Sequence, residues 1–269
     1  MFLSSANYSP DGVSTDLRTA SNLSDLRQNQ FFLDAEYGLG DNWSSLIRTN
    51  FLAAQIQSTQ GTSLLAGSGL ADTSLGFKWQ ARREKPVLAL EVAVVFPPYS
   101  STNLTNDELS LGDGVAGTTL VAHLGTKTKR FAFSTSPGLL FRYGRFSHQA
   151  TLESAISLVL KKFYFRAFQW AAISLSREAS SPSLQVGNSE LGSGGSFSRL
   201  STAPDLLLFG LKAGYRISEK FRLEGNLAKT VWGRSSADSI RFGVALISYF
   251  DFFVPDTREK IREVPLNPD

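Results

Sequence analysis

The sequence predicts an all-β fold, a transmembrane antiparallel up-and-down β-barrel of about twelve strands. Three observations predict it. Apolar and polar residues alternate with a period of two through almost the whole chain, and helical periodicity is nearly absent. About half the residues fall in strand-like segments, most of ten residues or more, whereas ordinary globular domains hold roughly 20–25% strand in strands of about 5–6 residues. The connections between segments alternate short and long, which is the pattern of barrels that cross a bilayer with tilted strands of about 9–11 residues.

The strands are predicted at 2–9, 28–37, 43–56, 70–81, 87–97, 113–124, 131–142, 146–158, 163–177, 204–217, 221–232 and 239–252. At 73–81, Thr73, Leu75, Phe77, Trp79 and Ala81 share one face, opposite Ser74, Gly76, Lys78 and Gln80. From Leu88, the set Leu88, Leu90, Val92, Val94 and Phe96 opposes Ala89, Glu91, Ala93 and Val95. Further on, Leu207, Phe209, Leu211, Ala213 and Tyr215 oppose Leu208, Gly210, Lys212, Gly214 and Arg216. The last strand sets Ile240, Phe242, Val244, Leu246, Phe250 and Phe252 against Arg241, Gly243, Ala245, Tyr249 and Asp251. Each segment thus has one apolar face and one face of polar and small residues.

Short connections are predicted at 38–42, 82–86, 126–130, 161–162 and 218–220, and longer ones at 10–27, 58–69, 98–112, 178–203 and 233–238. A tight turn near Gly144 is the exception on the long-loop side. Short turns are periplasmic in outer-membrane barrels, and an even strand count puts both termini there. At the strand ends beside these turns, Tyr37, Trp43, Trp79, Phe131, Phe163, Tyr215, Phe221 and Phe252 fall on the apolar face. Aromatics gathered at one level form the girdle expected where rings meet lipid headgroups. The turns themselves carry Arg82, Arg83, Lys85, Lys127, Lys129, Lys161, Lys162 and Lys220, which suits an anionic leaflet surface. Closure also satisfies every backbone donor and acceptor within hydrocarbon. Residues 1–253 are read as the barrel and 254–269 as a polar periplasmic tail, with the Gly- and Ser-rich 178–203 an outward loop or a lid over the mouth.

Composition agrees. Of 269 residues, 42% are hydrophobic and only 19% charged, below the roughly 25% usual in soluble domains, because one face of every strand can carry almost no charge. The absence of cysteine excludes disulfides, thiolate metal sites and cysteine nucleophiles, and two histidines leave little room for a His-rich metal centre. No cofactor is predicted. A net charge of +3 without a basic cluster gives no nucleic-acid partner. No apolar run is long enough for a membrane helix. The opening MFLSSANYSPDG lacks the features of a signal peptide, so an exported form is expected to be mature at this point.

The segment GLADTSLGFKWQ (69–80), a basic turn and PVLALEVAVVFPP follow AEYGLGDNWSSLI (35–47), a strand, a tight turn and an aromatic strand start. Together they resemble the outer-membrane channel-like proteins grouped with the phenol meta-degradation pathway. The resemblance is concentrated between Ala35 and Pro98 and in arrangement extends over about 28–252. It implies a barrel that passes small, often hydrophobic compounds. Two departures stand out: Pro97-Pro98-Tyr99 replaces the usual Pro-Thr-Gly, and a tail follows the terminal aromatic, Phe252 or Phe253. That tail is read either as a disordered end or as a docking segment for a periplasmic protein.

The inward face is predicted to collect Asp34, Glu36, Arg48, Asp72, Lys78, Glu91, Arg142, Glu153, Arg166, Lys212, Arg216, Arg222, Glu224, Arg241 and Asp251, eight cations and seven anions. Near balance points to paired charges bracing the interior rather than to a strongly selective constriction. Phe168 and Trp170 beside Arg166 form a candidate apolar patch for an aromatic or acyl ligand; phasing the strand the other way would instead take Gln169 off the lipid face. His123 is read as a polar lumen residue. His148, on the apolar face near Ser147 and Thr151, tests an outer-face hydrolase, but His148-Gln149-Ala150-Thr151 lacks the His-x-Ser-Asn style of outer-membrane phospholipases. No catalytic or metal-binding residue is therefore assigned. The expected function is a narrow outer-membrane channel or uptake protein for small solutes, hydrophobic ones among the candidates, in contact with outer-membrane lipid and lipopolysaccharide; the competing readings are a plugged docking barrel and a lipid hydrolase.

Overall fold

The computed structural model describes residues 2–7, 23–58, 63–98, 116–143, 147–175, 205–234 and 238–248. Among them are thirteen strands and no helix: β1 (Phe2–Asn7), β2 (Leu23–Gly38), β3 (Trp43–Ser58), β4 (Ser63–Leu70), β5 (Thr73–Arg82), β6 (Val87–Phe96), β7 (Gly117–Lys127), β8 (Phe131–Arg142), β9 (Gln149–Leu160), β10 (Phe163–Ser174), β11 (Asp205–Arg216), β12 (Phe221–Arg234) and β13 (Asp238–Ser248). Consecutive strands pair antiparallel from β5 to β13; β13 pairs with β1, β1 with β2, β2 with β3 and β3 with β5. Through the β13–β1, β1–β2 and β2–β3 pairings the sheet runs back to its start as a ring, the arrangement by which a barrel removes exposed edges; among the described residues β4 is paired on one side, with β3.

β4 and β5 share one position on that ring. β4 pairs with the far half of β3, from Phe51↔Leu70 to Gln57↔Ser63, and β5 with its near half, from Trp43↔Trp79 to Arg48↔Ser74. The break falls at Ala71 and Asp72, where the Ala71 amide still donates to the Asn50 carbonyl at 2.8 Å. The expected loop at 58–69 is thus mostly strand, and so is the end of the expected loop at 10–27, because β2 begins at Leu23. The predicted strand 163–177 ends earlier, at Ser174. The turn near Gly144, the loop 178–203, Asp251, Phe252 and the tail 254–269 lie outside the described residues.

Alternation decides the two faces. On β6, Leu90, Val92 and Val94 are exposed while Ala89, Glu91 and Ala93 are buried. Exposed Leu, Val, Ile, Phe and Trp side chains recur on the same face of the other strands whose side chains are described, whereas Leu46, Leu52, Ala93, Leu208 and Ala228 point inward and are buried. An apolar surface of this extent around a closed barrel is incompatible with water and matches hydrocarbon. At the short-turn end, Tyr37, Trp43, Trp79, Phe131, Phe163, Tyr215 and Phe221 are exposed on this outer face. Register brings several into contact: Trp43 stacks on Trp79 with ring centres 6.0 Å apart, and Phe163 meets Tyr215 at 4.9 Å.

Polar residues interrupt the outer face along one transverse row, in which Thr135 pairs with Ser154, Ser154 with Gln169, Gln169 with Phe209 and Phe209 with Lys229. Thr135 and Ser154 satisfy one another through a 2.9 Å hydroxyl hydrogen bond. Lys229 lies in the second half of β12, and a lysine stem is long enough to carry its ammonium along an apolar surface toward water. Gln169 lies midway along β10, and Phe168 and Trp170 therefore face inward. A carboxamide in hydrocarbon is costly, so Gln169→Leu is expected to raise the unfolding free energy in lipid vesicles by about 1–3 kcal/mol. A denaturant titration showing a loss instead would place residue 169 away from lipid.

Candidate functional site in the barrel lumen

The inner wall divides into two unlike halves. On the β2–β7 side the charges are paired. Arg48 donates through both terminal nitrogens to Glu91, at 2.5 and 3.0 Å, and through Nε to Asp34 at 3.3 Å. Glu91 also meets His123 Nε2 at 3.1 Å, and His123 Nδ1 meets the Ser136 hydroxyl at 3.0 Å. Lys78 bonds Glu36, which accepts a second bond from Ser44 at 2.6 Å. Register explains these contacts, since Asp34 lies opposite Arg48, Ser44 opposite Lys78 and Lys78 opposite Glu91. Asp34 meets Arg48 on the neighbouring strand, while Arg48 reaches Glu91 across β5 and Lys78 reaches Glu36 across β3.

The β9–β12 side is cationic. Arg166 lies opposite Lys212 across β10 and β11, and Arg216 opposite Arg222 across β11 and β12. Two carboxylates answer them: Glu153 accepts from Arg166 at 2.6 Å, and Glu224 lies 3.7 Å from Arg222. The guanidinium of Arg222 sits 5.2 Å from the Tyr164 ring centre, and the Lys212 ammonium 5.1 Å from that of Phe168. Both rings lie across glycines of β11: Tyr164 covers Gly214 and Phe168 covers Gly210. Tyr164, Arg166, Lys212, Arg216, Arg222 and Glu224 line a cavity of about 440 Å³ at the short-turn end of the lumen, joined by Lys127, Lys161 and Lys162. The turn lysines expected to face an anionic leaflet therefore line the pore mouth as well.

The remaining predicted residues are scattered. Arg142 is buried at the end of β8 and donates to the Ser147 carbonyl at 2.6 Å, and Asp72 lies in the break before β5. Arg241 occupies an inward position opposite Ala228. The Ser147 hydroxyl donates to the His148 carbonyl at 2.9 Å rather than to its imidazole, which instead accepts from the Arg142 amide at 3.3 Å and packs edge-on to Phe141. A nucleophile needs its base within reach, and this pair is not so arranged. No cluster of metal-ligating side chains occurs among the described residues.

What reasoning from the sequence missed is the segregation of charge. The count of eight cations and seven anions is nearly even, yet Arg48 and Lys78 are matched by Asp34, Glu36 and Glu91, while among the described residues the cluster Arg166, Lys212, Arg216 and Arg222 is answered by the ion pairs to Glu153 and Glu224.

No family model matches the chain, and no curated protein matches it in sequence. Its fold is shared with solved structures. An outer membrane channel of Pseudomonas putida F1, described as a COG4313 channel, superposes with a TM-score of 0.61 at 12% identity, covering 93% of each chain. The NanC porin superposes with a TM-score of 0.50 at 7% identity, covering 93% of this chain and 99% of the porin. The chain has the fold of a bacterial outer-membrane β-barrel.

Proposed function

We propose that the protein is a channel or uptake barrel of the bacterial outer membrane that passes small solutes with an apolar part. One observation carries this reading: charged side chains on the inner wall stay open to solvent, Asp34 at 62%, Glu36 at 43%, and Arg48 and Glu153 at 40% of their side-chain area. An interior packed shut by its own side chains would bury these groups, whereas a water-filled lumen leaves them accessible. The resemblance between Ala35 and Pro98 to channel-like proteins of the phenol meta-degradation type supports an apolar component in the solute, and Phe168 and Trp170 on the inner wall are suited to it. Lipid and lipopolysaccharide are the outer face's expected surroundings.

Reconstituted protein is expected to give reproducible single-channel conductance and to speed the swelling of proteoliposomes in small permeant solutes. A barrel that neither conducts nor swells, and that retains a periplasmic protein only while residues 254–269 are present, would replace this reading with the docking one.

A further inference from the structure

The cationic wall is arranged at a cost to the sheet. Like charges placed directly opposite one another destabilise an antiparallel pair, yet Arg166 faces Lys212, and two inward positions nearer the mouth, past Gly214 on β11 and Glu224 on β12, Arg216 faces Arg222. The opposite wall, built from the same strand geometry, pairs opposite charges at corresponding positions. Among the described residues, Lys212 and Arg216 have no carboxylate within ion-pairing distance. One step further in, the wall changes character: Phe168 lies against Gly210, and Trp170 lies opposite the buried Leu208. Successive inward residues on a strand are about 7 Å apart, so the cationic tier and the aromatic tier are separated by about one aromatic ring.

Resting on the channel reading, we propose that this wall binds a small organic carboxylate with an aromatic or short acyl body. Lys212, helped by Arg166 and Arg216, takes the carboxylate, and Phe168 and Trp170 take the apolar body. Guanidinium and ammonium groups supply charge-assisted hydrogen bonds, and the Lys212 ammonium is held over the Phe168 ring, where a carboxylate lying along the same ring would meet it. The neutral half of the molecule has no polar partner to lose. An aromatic acid therefore meets both tiers, a simple anion only the first, and a neutral aromatic only the second.

The test uses the full chain in detergent, with benzoate, acetate and benzyl alcohol as probes in equilibrium titrations. Benzoate is expected to bind at least tenfold more tightly than either of the others. The double variant Lys212→Gln, Arg216→Gln should weaken benzoate at least tenfold while leaving resistance to heat equal or greater, since it removes like-charge repulsion; Trp170→Leu should erase the preference for benzoate over acetate. Equal affinity for benzoate and benzyl alcohol, or an unchanged affinity in the double variant, would overturn the proposal. A double variant of lower heat resistance would also overturn it, by assigning the cations a bracing role. Binding reads the wall alone, so a barrel that binds benzoate but does not conduct would refute the channel reading and leave this one standing.

Discussion

Replacing Arg48 by alanine should lower the barrel's unfolding free energy by about 3–5 kcal/mol, the cost of leaving a buried carboxylate without its partner. The side chain of Glu91 keeps 1% of its area exposed and is held by Arg48 through two hydrogen bonds and by His123 through one. Arg48 itself is 40% open, so its own desolvation is modest, and the energy at stake is that of Glu91. With the guanidinium gone, the carboxylate retains only His123, and Asp34 loses its bond to Arg48 as well. The double variant Arg48→Ala, Glu91→Gln should recover most of the loss, because the buried group is then neutral. Denaturant unfolding in lipid vesicles measures both. A single-variant cost of less than about 1 kcal/mol, the range of an exposed pair, would show that water reaches Glu91 from the lumen.

The network around Glu91 illustrates what can be read from a sequence and what cannot. Its members lie on β2, β3, β6, β7 and β8, and alternation alone places each on the inward face. The strands themselves were legible for the same reason: at 131–142 the pattern gives the strand as it stands, and at 87–97 it is one residue too long. Partnership depends instead on register, a non-local property set by which residues meet across the sheet. That is why the charge count looked balanced while the walls are not, and why Arg166 opposite Lys212 and Arg216 opposite Arg222 emerged only from the paired strands. β4 escaped for a related reason. SLLAGSGL has two glycines and two serines and reads locally as a loop, and its extended form rests on the ladder that β3 offers it. The aromatic positions needed no register, because turn length and alternation together fix the level and face of each ring.

Gly76→Val is expected to prevent most of the protein from reaching the folded barrel. Gly76 faces inward on β5, opposite Leu46 on β3 and Ala93 on β6, both buried. A Cβ at this position would stand 2.4 Å from the Val92 carbonyl oxygen, 2.5 Å from the Ala93 Cβ and 2.8 Å from its Cα. Two of these are backbone atoms of the neighbouring strand, so no rotamer relieves the contact and β5 and β6 must separate. Overpacking by a methyl group in a tight interior costs about 1–3 kcal/mol, and valine adds more at a point where the ladder itself gives way. The separation would fall between the bonds that cross the wall on either side, Arg48 to Glu91 and Lys78 to Glu36. Gly214→Ala is the control: the three atoms nearest its Cβ all belong to the ring of Tyr164, a side chain and not the backbone of a neighbouring strand. Electrophoresis without heating, in which folded barrel and unfolded chain migrate apart, should show Gly214→Ala folded like the parent and Gly76→Val largely unfolded. A Gly76→Val barrel that folds to within about 1 kcal/mol of the parent would mean that β5 and β6 accommodate a side chain between them, and that the small Gly–Ala pair is not what lets the two strands approach.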